Sequence, residues 1–334
     1  MIYPRPLVQM GPARPPGSVT LGGGPHWFTH VELFERDGQP RVVPADSLPE
    51  DVLSRLAEPR AVICGLNMSI PRIMGILNVT PDSFSDGGVH LDPTTARDAA
   101  IGMIEHGADL IDVGGESTRP GAETVPVPAE IDRVQPAIAG LRAASHVPIS
   151  IDTRKSAVAE AAVAAGAALV NDVSGFTHDP ELAAFCAARE VPVCVMHAHG
   201  DPAVMQQNPS YEDVLLDVYD FLSARIDALT EAGIPRARII VDPGIGFGKT
   251  IEHNLRLLRN IALFHALGCP ILLGVSRKRF IGHIGHAPQA VARAPGSIAV
   301  GLAALAQGVH ILRVHDVAET AQALRLWQAV TGQT

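Results

Sequence analysis

An α/β fold, a (β/α)8 TIM barrel with a short N-terminal extension, is what this sequence predicts, on three observations. From Arg72 onward, eight short, near-continuously apolar β-rich runs alternate with helical patterns. The repeat occupies about 260 residues, the length that eight βα units need. No G-x-G-x-x-G follows the first run, which weakens the doubly wound alternative.

The expected strands are Arg72 to Leu77, Leu110 to Val113, Pro148 to Asp152, Leu169 to Asp172, Val193 to Met196, Arg238 to Asp242, Ile271 to Val275 and His310 to Val314. Their apolar character suits a parallel sheet whose outer face lies under helices. Helical periodicity fills the intervals, as in Arg154 to Ala165 and in Tyr211 to Ala232, where Val214, Leu215, Val218, Leu222 and Ile226 are spaced along one face. Gly107, Gly166, Gly233 and Gly268 follow such stretches, where a helix end wants a residue free to take positive φ. Residues 1–66 lack this rhythm. They read as an extension packed on a barrel domain of residues 67–334, with a strand at Phe28 to Phe34, a helix at Pro49 to Leu56 and an apolar run at Ala61 to Leu66.

The 334 residues, 47% hydrophobic and 18% charged, supply ample material for a core. Cys64, Cys186, Cys194 and Cys269 form no C-x-x-C pair, so neither a zinc knuckle nor a disulfide framework is expected, and a reducing, cytoplasmic setting fits. Residues 1–24 are broken by five prolines and lack an apolar leader segment. No run of about 18 apolar residues occurs, so no membrane partner is expected. A net charge of -9 argues against a nucleic-acid partner, which would require a basic footprint.

Active sites of such barrels lie at the C-terminal ends of the strands. Nearly every expected strand here ends in a polar residue. They are Asn78, Asp112, Asp152, Asn171 with Asp172, Asp242, the run Ser276, Arg277 and Lys278, and Arg313 with His315. One Asp at a strand end is ordinarily a helix cap. Seven strands in agreement imply a ligand rich in hydrogen-bond donors, because an unpaired buried polar group costs about 1–3 kcal/mol. Asp152, Asn171 and Asp242 suit a donor-rich heterocycle edge such as a 2-amino-4-oxopyrimidine, with Lys278 meeting its carbonyl. Arg313, His315, Thr118 and Arg119 suit a multi-oxygen anion, for which Arg offers bidentate geometry. The site reads as heterocycle plus diphosphate.

Competing motifs fail. D-P-G-I-G-F-G-K-T at 242–250 puts Pro243 where a Walker loop needs its first glycine, so its glycines are read as close backbone approach to a ligand, with Phe247 offering an aromatic face. His197 and His199 form H-x-H, but the other strand ends carry mostly Asn, Lys and Arg, a poor set for zinc. Ser83, Ser117 and Ser276 sit in no G-x-S-x-G, so a covalent serine mechanism is not expected.

Seven segments together carry a family resemblance. They are I-M-G-I-L-N-V-T-P-D-S-F-S-D-G-G at 73–88, G-A-D-L-I-D-V-G-G-E-S-T-R-P-G-A at 107–122, I-S-I-D-T-R-K at 149–155, N-D-V-S-G at 171–175, D-P-G-I-G-F-G-K at 242–249, S-R-K at 276–278 and R-V-H-D-V at 313–317. The chain closely resembles the dihydropteroate synthase family of pterin-binding barrels. The resemblance implies condensation of 6-hydroxymethyl-7,8-dihydropterin diphosphate with 4-aminobenzoate, giving 7,8-dihydropteroate and pyrophosphate. It also implies Mg²⁺ as cofactor and a homodimer.

By the same resemblance Asp152, Asn171, Asp242 and Lys278 hold the pterin, with Met196 against its ring. Asn78 helps to hold Mg²⁺ on the diphosphate, and Thr118, Arg119, Arg313 and His315 bind its oxygens. Phe84, Thr118, Arg119, Pro120, Phe247 and Lys278 surround the aminobenzoate. Asp152, Lys278, Arg313 and His315 carry catalysis. Two features depart from the family pattern: Arg279 stands where many members have a serine, and residues 1–66 exceed the simplest members. A pterin barrel that transfers a methyl group from methyltetrahydrofolate to a corrinoid would share the Asp and Asn pocket but has no use for the diphosphate ligands. A non-catalytic paralogue would show degraded loops, and both loops are complete here.

Overall fold

The computed structural model describes residues 2–80, 93–117, 124–198 and 209–333. Eight strands form one parallel sheet: β6 (Arg72–Asn78), β7 (Leu110–Gly114), β8 (Ile149–Asp152), β9 (Leu169–Asp172), β10 (Val193–Met196), β11 (Ile239–Asp242), β12 (Leu272–Leu273) and β13 (Ile311–Val314). Their order is β11-β10-β9-β8-β7-β6-β13-β12, and a parallel bridge between Val241 and Ile271 joins the two ends into a barrel. All eight expected strands are present. The seventh is the shortest, two residues where five were expected.

Side chains alternate along a strand, so each strand has one set facing the helices and one facing the barrel axis. The outward set, including Ile73, Val113, Ile151, Val170, Val195, Val241, Leu273 and Leu312, packs in the main core with the surrounding helices. The inward set starts apolar: Met74, Leu110, Leu169, Cys194, Ile240, Leu272 and Ile311 form a separate buried cluster. Two residues further along these strands come Ile76, Asp112, Asn171, Met196, Asp242, Gly274 and Arg313. The chain thus builds a dry floor and a polar roof on the same backbone face.

The helices begin where side chains terminate the preceding loop. Helix α6 (Val214–Glu231) starts three residues later than the periodicity predicts, because Asp213 caps it, accepting the Leu215 N–H at 3.0 Å. Helix α4 starts at Ser156 instead of Arg154, because Thr153, Arg154 and Lys155 are drawn into a buried ion network. Gly107, Gly166, Gly233 and Gly268 all have positive φ, as expected of residues that end helices.

The first 66 residues contain more strand than expected. A three-stranded sheet has the order β1 (Tyr3–Pro6), β4 (His30–Phe34), β5 (Arg41–Pro44), and β2 (Val19–Thr20) pairs with β3 (Trp27–Phe28). The single strand expected over Phe28 to Phe34 is therefore two strands in different sheets. Pro4 and Pro6 are tolerated because β1 is an edge: Leu7 donates to His30 O, so by alternation the proline positions face away from β4. Helix α1 (Glu50–Ala57) follows. The extension meets the barrel through Tyr3, which donates to Asp220 at 2.9 Å, and through Arg36, which pairs with Asp217 and Asp220. Ile63 and Met68 join the inward apolar cluster, so the run at Ala61 to Leu66 closes the barrel's floor.

Candidate active site

A cleft opens over the polar roof. Asn78, Asp152, Asn171, Met196, Asp242, Phe247, Lys278, Arg313 and His315 all line it. Its volume, about 1530 Å³, exceeds the 300–1,000 Å³ typical of a single small-molecule pocket. Phe84, Thr118, Arg119 and Pro120, also expected at the site, lie outside the described residues, as does His199.

At the base of the cleft, Arg313 on β13 reaches across the barrel axis. Its Nε donates to Asp112 Oδ2 at 2.5 Å and its Nη2 to Asp152 Oδ2 at 2.8 Å, while Asn171 Nδ2 donates to the same Asp112 oxygen at 3.1 Å. Asp112 is fully buried, and its Oδ1 has no hydrogen-bond partner among the described residues. Burial pushes the Asp152 carboxyl above its usual range, with the Asp112 charge adding to this and Arg313 opposing it. One guanidinium therefore serves two carboxylates, and Arg313 is not simply an anion ligand pointing into open space. Asp112 is the residue that sequence reasoning noted at a strand end but gave no role. Its signal was the inward alternation of β7, two residues beyond Leu110. Asp172, one position beyond Asn171, faces the other way: its carboxylate accepts from Ser174 N and Phe176 N, both at 2.7 Å, and shapes the following turn.

The loop after β11 forms another wall. Asp242 Oδ1 accepts from Gly244 N at 2.7 Å, which turns the chain sharply over the strand end. Only glycine fits at 244: φ is +68°, and a Cβ there would stand 1.8 Å from His197 O. Buried Lys249 ties the loop down, its Nζ lying 2.8 Å from His197 Nδ1, 2.9 Å from Gly244 O and 3.0 Å from Phe247 O. This fixes Phe247 at the cleft, with Lys278 Nζ 4.0 Å above its ring centroid. His197 Nδ1 is thus engaged by Lys249, and no group of three or more His, Cys, Asp or Glu able to hold a metal occurs among the described residues. Burial, followed by the charge of Arg313, pulls Lys278 down to about 8, with Asp242 and Asp152 opposing.

Between β12 and β13, Ser276 Oγ accepts the His315 backbone N–H at 3.1 Å and lies 3.0 Å from His315 Nδ1. With that N–H pointing at the oxygen, the hydroxyl proton is directed to Nδ1, and the neutral ring keeps its own proton on Nε2. Burial and the charges of Arg313 and Arg277 push His315 down to about 3, so it is a neutral N–H donor at physiological pH. Arg277 is turned aside by a positive φ of 58° and pairs with Asp316.

The roots of the second loop are joined by buried charges. Glu116 accepts from Arg154 at 3.2 Å, from Lys155 at 3.2 Å and from Val125 N at 2.8 Å, and Lys155 also reaches Glu130 at 2.6 Å. Glu116, left without a role in the sequence reading, thereby links residues on either side of 118–123.

A family model described as "Pterin binding enzyme" matches residues 74–315. The chain is 46% identical over 258 residues to a dihydropteroate synthase from Synechocystis sp., covering 77% of this chain and 89% of that one. Among solved structures, a Xanthomonas albilineans dihydropteroate synthase with 4-aminobenzoic acid has a TM-score of 0.76 at 46% identity, covering 81% of this chain and 98% of its own. The Xanthomonas albilineans enzyme in complex with 7,8-dihydropteroate has a TM-score of 0.73 at 43% identity, covering 81% and 98%. A barrel of eight parallel strands, a polar roof with its acceptors grouped on adjacent strands and matches of this extent together have one consequence: the chain belongs to the dihydropteroate synthase family of pterin-binding enzymes.

Proposed function

We propose that the cleft joins 6-hydroxymethyl-7,8-dihydropterin diphosphate to 4-aminobenzoate, releasing pyrophosphate and forming 7,8-dihydropteroate. The observation that carries this reading is how the roof is partitioned around the barrel. Asp152, Asn171, Met196 and Asp242 come from four consecutive strands, β8 to β11. Asn78, Ser276 and His315 lie at the ends of β6, β12 and β13, also neighbours. A flat ring with amino and ring N–H donors suits the first group, and an anion suits the second.

In this reading Asp242 and Asn171 accept from the pterin's donors, Met196 lies against its face and Lys278 donates to its carbonyl. Asp152, held by Arg313, stabilises the positive charge that builds on the pterin as the carbon–oxygen bond to the diphosphate breaks. His315 Nε2–H and Arg313 stabilise the departing pyrophosphate. The amine nitrogen of 4-aminobenzoate, neutral at physiological pH, forms the new carbon–nitrogen bond and loses a proton to solvent. Phe247 and Lys278 are its described neighbours, and Phe84, Thr118, Arg119 and Pro120 complete its surroundings.

The donor set fits Mg²⁺ only as an ion shared with substrate, because that ion is commonly held by one or two protein oxygens together with phosphates and water. Asn78 would supply the amide oxygen, and the ion would neutralise charge on the diphosphate. The same reading takes the chain to be a cytoplasmic homodimer. Leu326 and Val330, exposed four residues apart on α10 (Val317–Thr331), give one apolar stripe suited to a partner copy. No described helix is long and apolar enough to cross a membrane.

Release of pyrophosphate that requires both 4-aminobenzoate and the pterin diphosphate, with 7,8-dihydropteroate as product, tests the reaction. Pterin binding without pyrophosphate release at saturating amine and Mg²⁺ would contradict it. Light scattering of the purified chain tests the dimer.

A further inference from the structure

Arg279 opens α8 (Arg279–Ile284), lies exposed at the rim and lines the same cleft directly after Lys278. The other lysines and arginines of the cleft wall have work already. Arg277 pairs with Asp316, Arg313 with Asp112 and Asp152, and Arg293 donates to the carbonyls of Arg277, Ala287 and Pro288. Lys249 is surrounded by His197 and two carbonyls, and Lys278 stacks on Phe247. The carboxylates of the wall are equally engaged: Glu116 with Arg154 and Lys155, Asp152 with Arg313, and Asp242 with Gly244 N. Among the described residues, Arg279 makes no hydrogen bond or ion pair. It is a permanent positive charge beside the Phe247 wall with no counter-charge.

The second substrate of the proposed reaction is itself polarised. Its amine must point inward to the carbon that loses the diphosphate, so its para carboxylate points outward, toward the rim where Arg279 stands. We propose that Arg279 is a specificity-determining residue, taking the carboxylate of the aromatic amine in the charge-assisted, bidentate manner open to a guanidinium and selecting an anionic acceptor over a neutral one. The inference rests on the functional reading above and adds a residue that is specific to this chain.

The test compares 4-aminobenzoate with the uncharged 4-aminobenzamide in the wild type, Arg279→Ser and Arg279→Lys. Binding is followed by calorimetry with 6-hydroxymethylpterin and pyrophosphate present, and turnover by pyrophosphate release. In Arg279→Ser the acid's affinity and kcat/KM fall about 3- to 10-fold, the scale of a partly exposed charged pair, while the amide's are unchanged. Arg279→Lys falls between. An acid-to-amide ratio equal in wild type and Arg279→Ser overturns the assignment. Preferential binding of the acid by a wild type that releases no pyrophosphate would sink the reaction and leave Arg279 as the carboxylate's partner.

Discussion

The floor and the roof of the barrel use the same strands and the same inward face, yet they obey different rules. In the floor, Met74, Leu110, Leu169, Cys194, Ile240, Leu272 and Ile311 pack against Ile63 and Met68 and make no demand on solvent or ligand. Two residues along, Asp112, Asp152, Asn171, Asp242 and Arg313 occupy positions of similar burial, where each polar atom needs a partner. The roof meets that need only in part: Arg313 binds two carboxylates, and Asp112 keeps an unpartnered oxygen. The floor is built for stability, whereas the roof carries unspent hydrogen-bonding capacity.

The largest effect is expected where the two zones meet. Asp112→Ala removes one anion from a buried ion group and is expected to cost about 3–5 kcal/mol of stability, read by urea denaturation, together with turnover. A stable, active Asp112→Ala protein would mean that Arg313 does not depend on it. In the floor itself, Ile240→Ala is expected to cost about 2–5 kcal/mol, the cavity range, with KM for both substrates unchanged. A raised KM would show that floor and roof are not separable.

Below the floor, pH acts on stability and not on binding. His26, His265 and His310 line a small cavity of about 20 Å³ at the junction of extension and barrel, and Arg60 reaches the His265 carbonyl nearby. Burial holds His26 down to about 4 and His265 to about 3, and pushes His310 well below the usual 6.5. Below pH 6.5 the unfolded chain takes up protons that the folded chain refuses, so stability falls as pH drops from about 6.5 toward 4. At pH 5 the loss is roughly 2 kcal/mol per histidine. Denaturation midpoints that match at pH 7 and pH 5 would contradict this.

The smallest effect belongs to Ser276→Ala. Losing the hydroxyl frees His315 to change tautomer and is expected to weaken pyrophosphate binding by about 0.5–1.5 kcal/mol without altering pterin affinity. Calorimetry with each ligand separately checks it.

The barrel was legible because its strands are long apolar runs separated by helical periodicity and closed by glycines such as Gly107 and Gly166, signals local in sequence. The roof was legible for the same reason, since every strand ends in a polar residue. The pairing within it was not. That Arg313 crosses the barrel to Asp112 and Asp152 depends on the ring closing, over sequence separations of 201 and 161. The extension was the least legible part: β1 carries Pro4 and Pro6, which read as breakers until their edge position is seen, and β2 and β3 are two residues each. Glu116 and Lys155 escaped because a buried ion network leaves no periodic mark.

The central claim is that the roof has two chemically distinct halves. It is tested most directly by measuring the affinities of 6-hydroxymethylpterin and of pyrophosphate separately in Asp242→Asn and His315→Ala. Asp242→Asn should weaken the pterin about 10-fold or more, the scale of a charged hydrogen bond, and leave pyrophosphate unchanged, and His315→Ala should do the reverse. Equal losses for both ligands in either variant would contradict the partition.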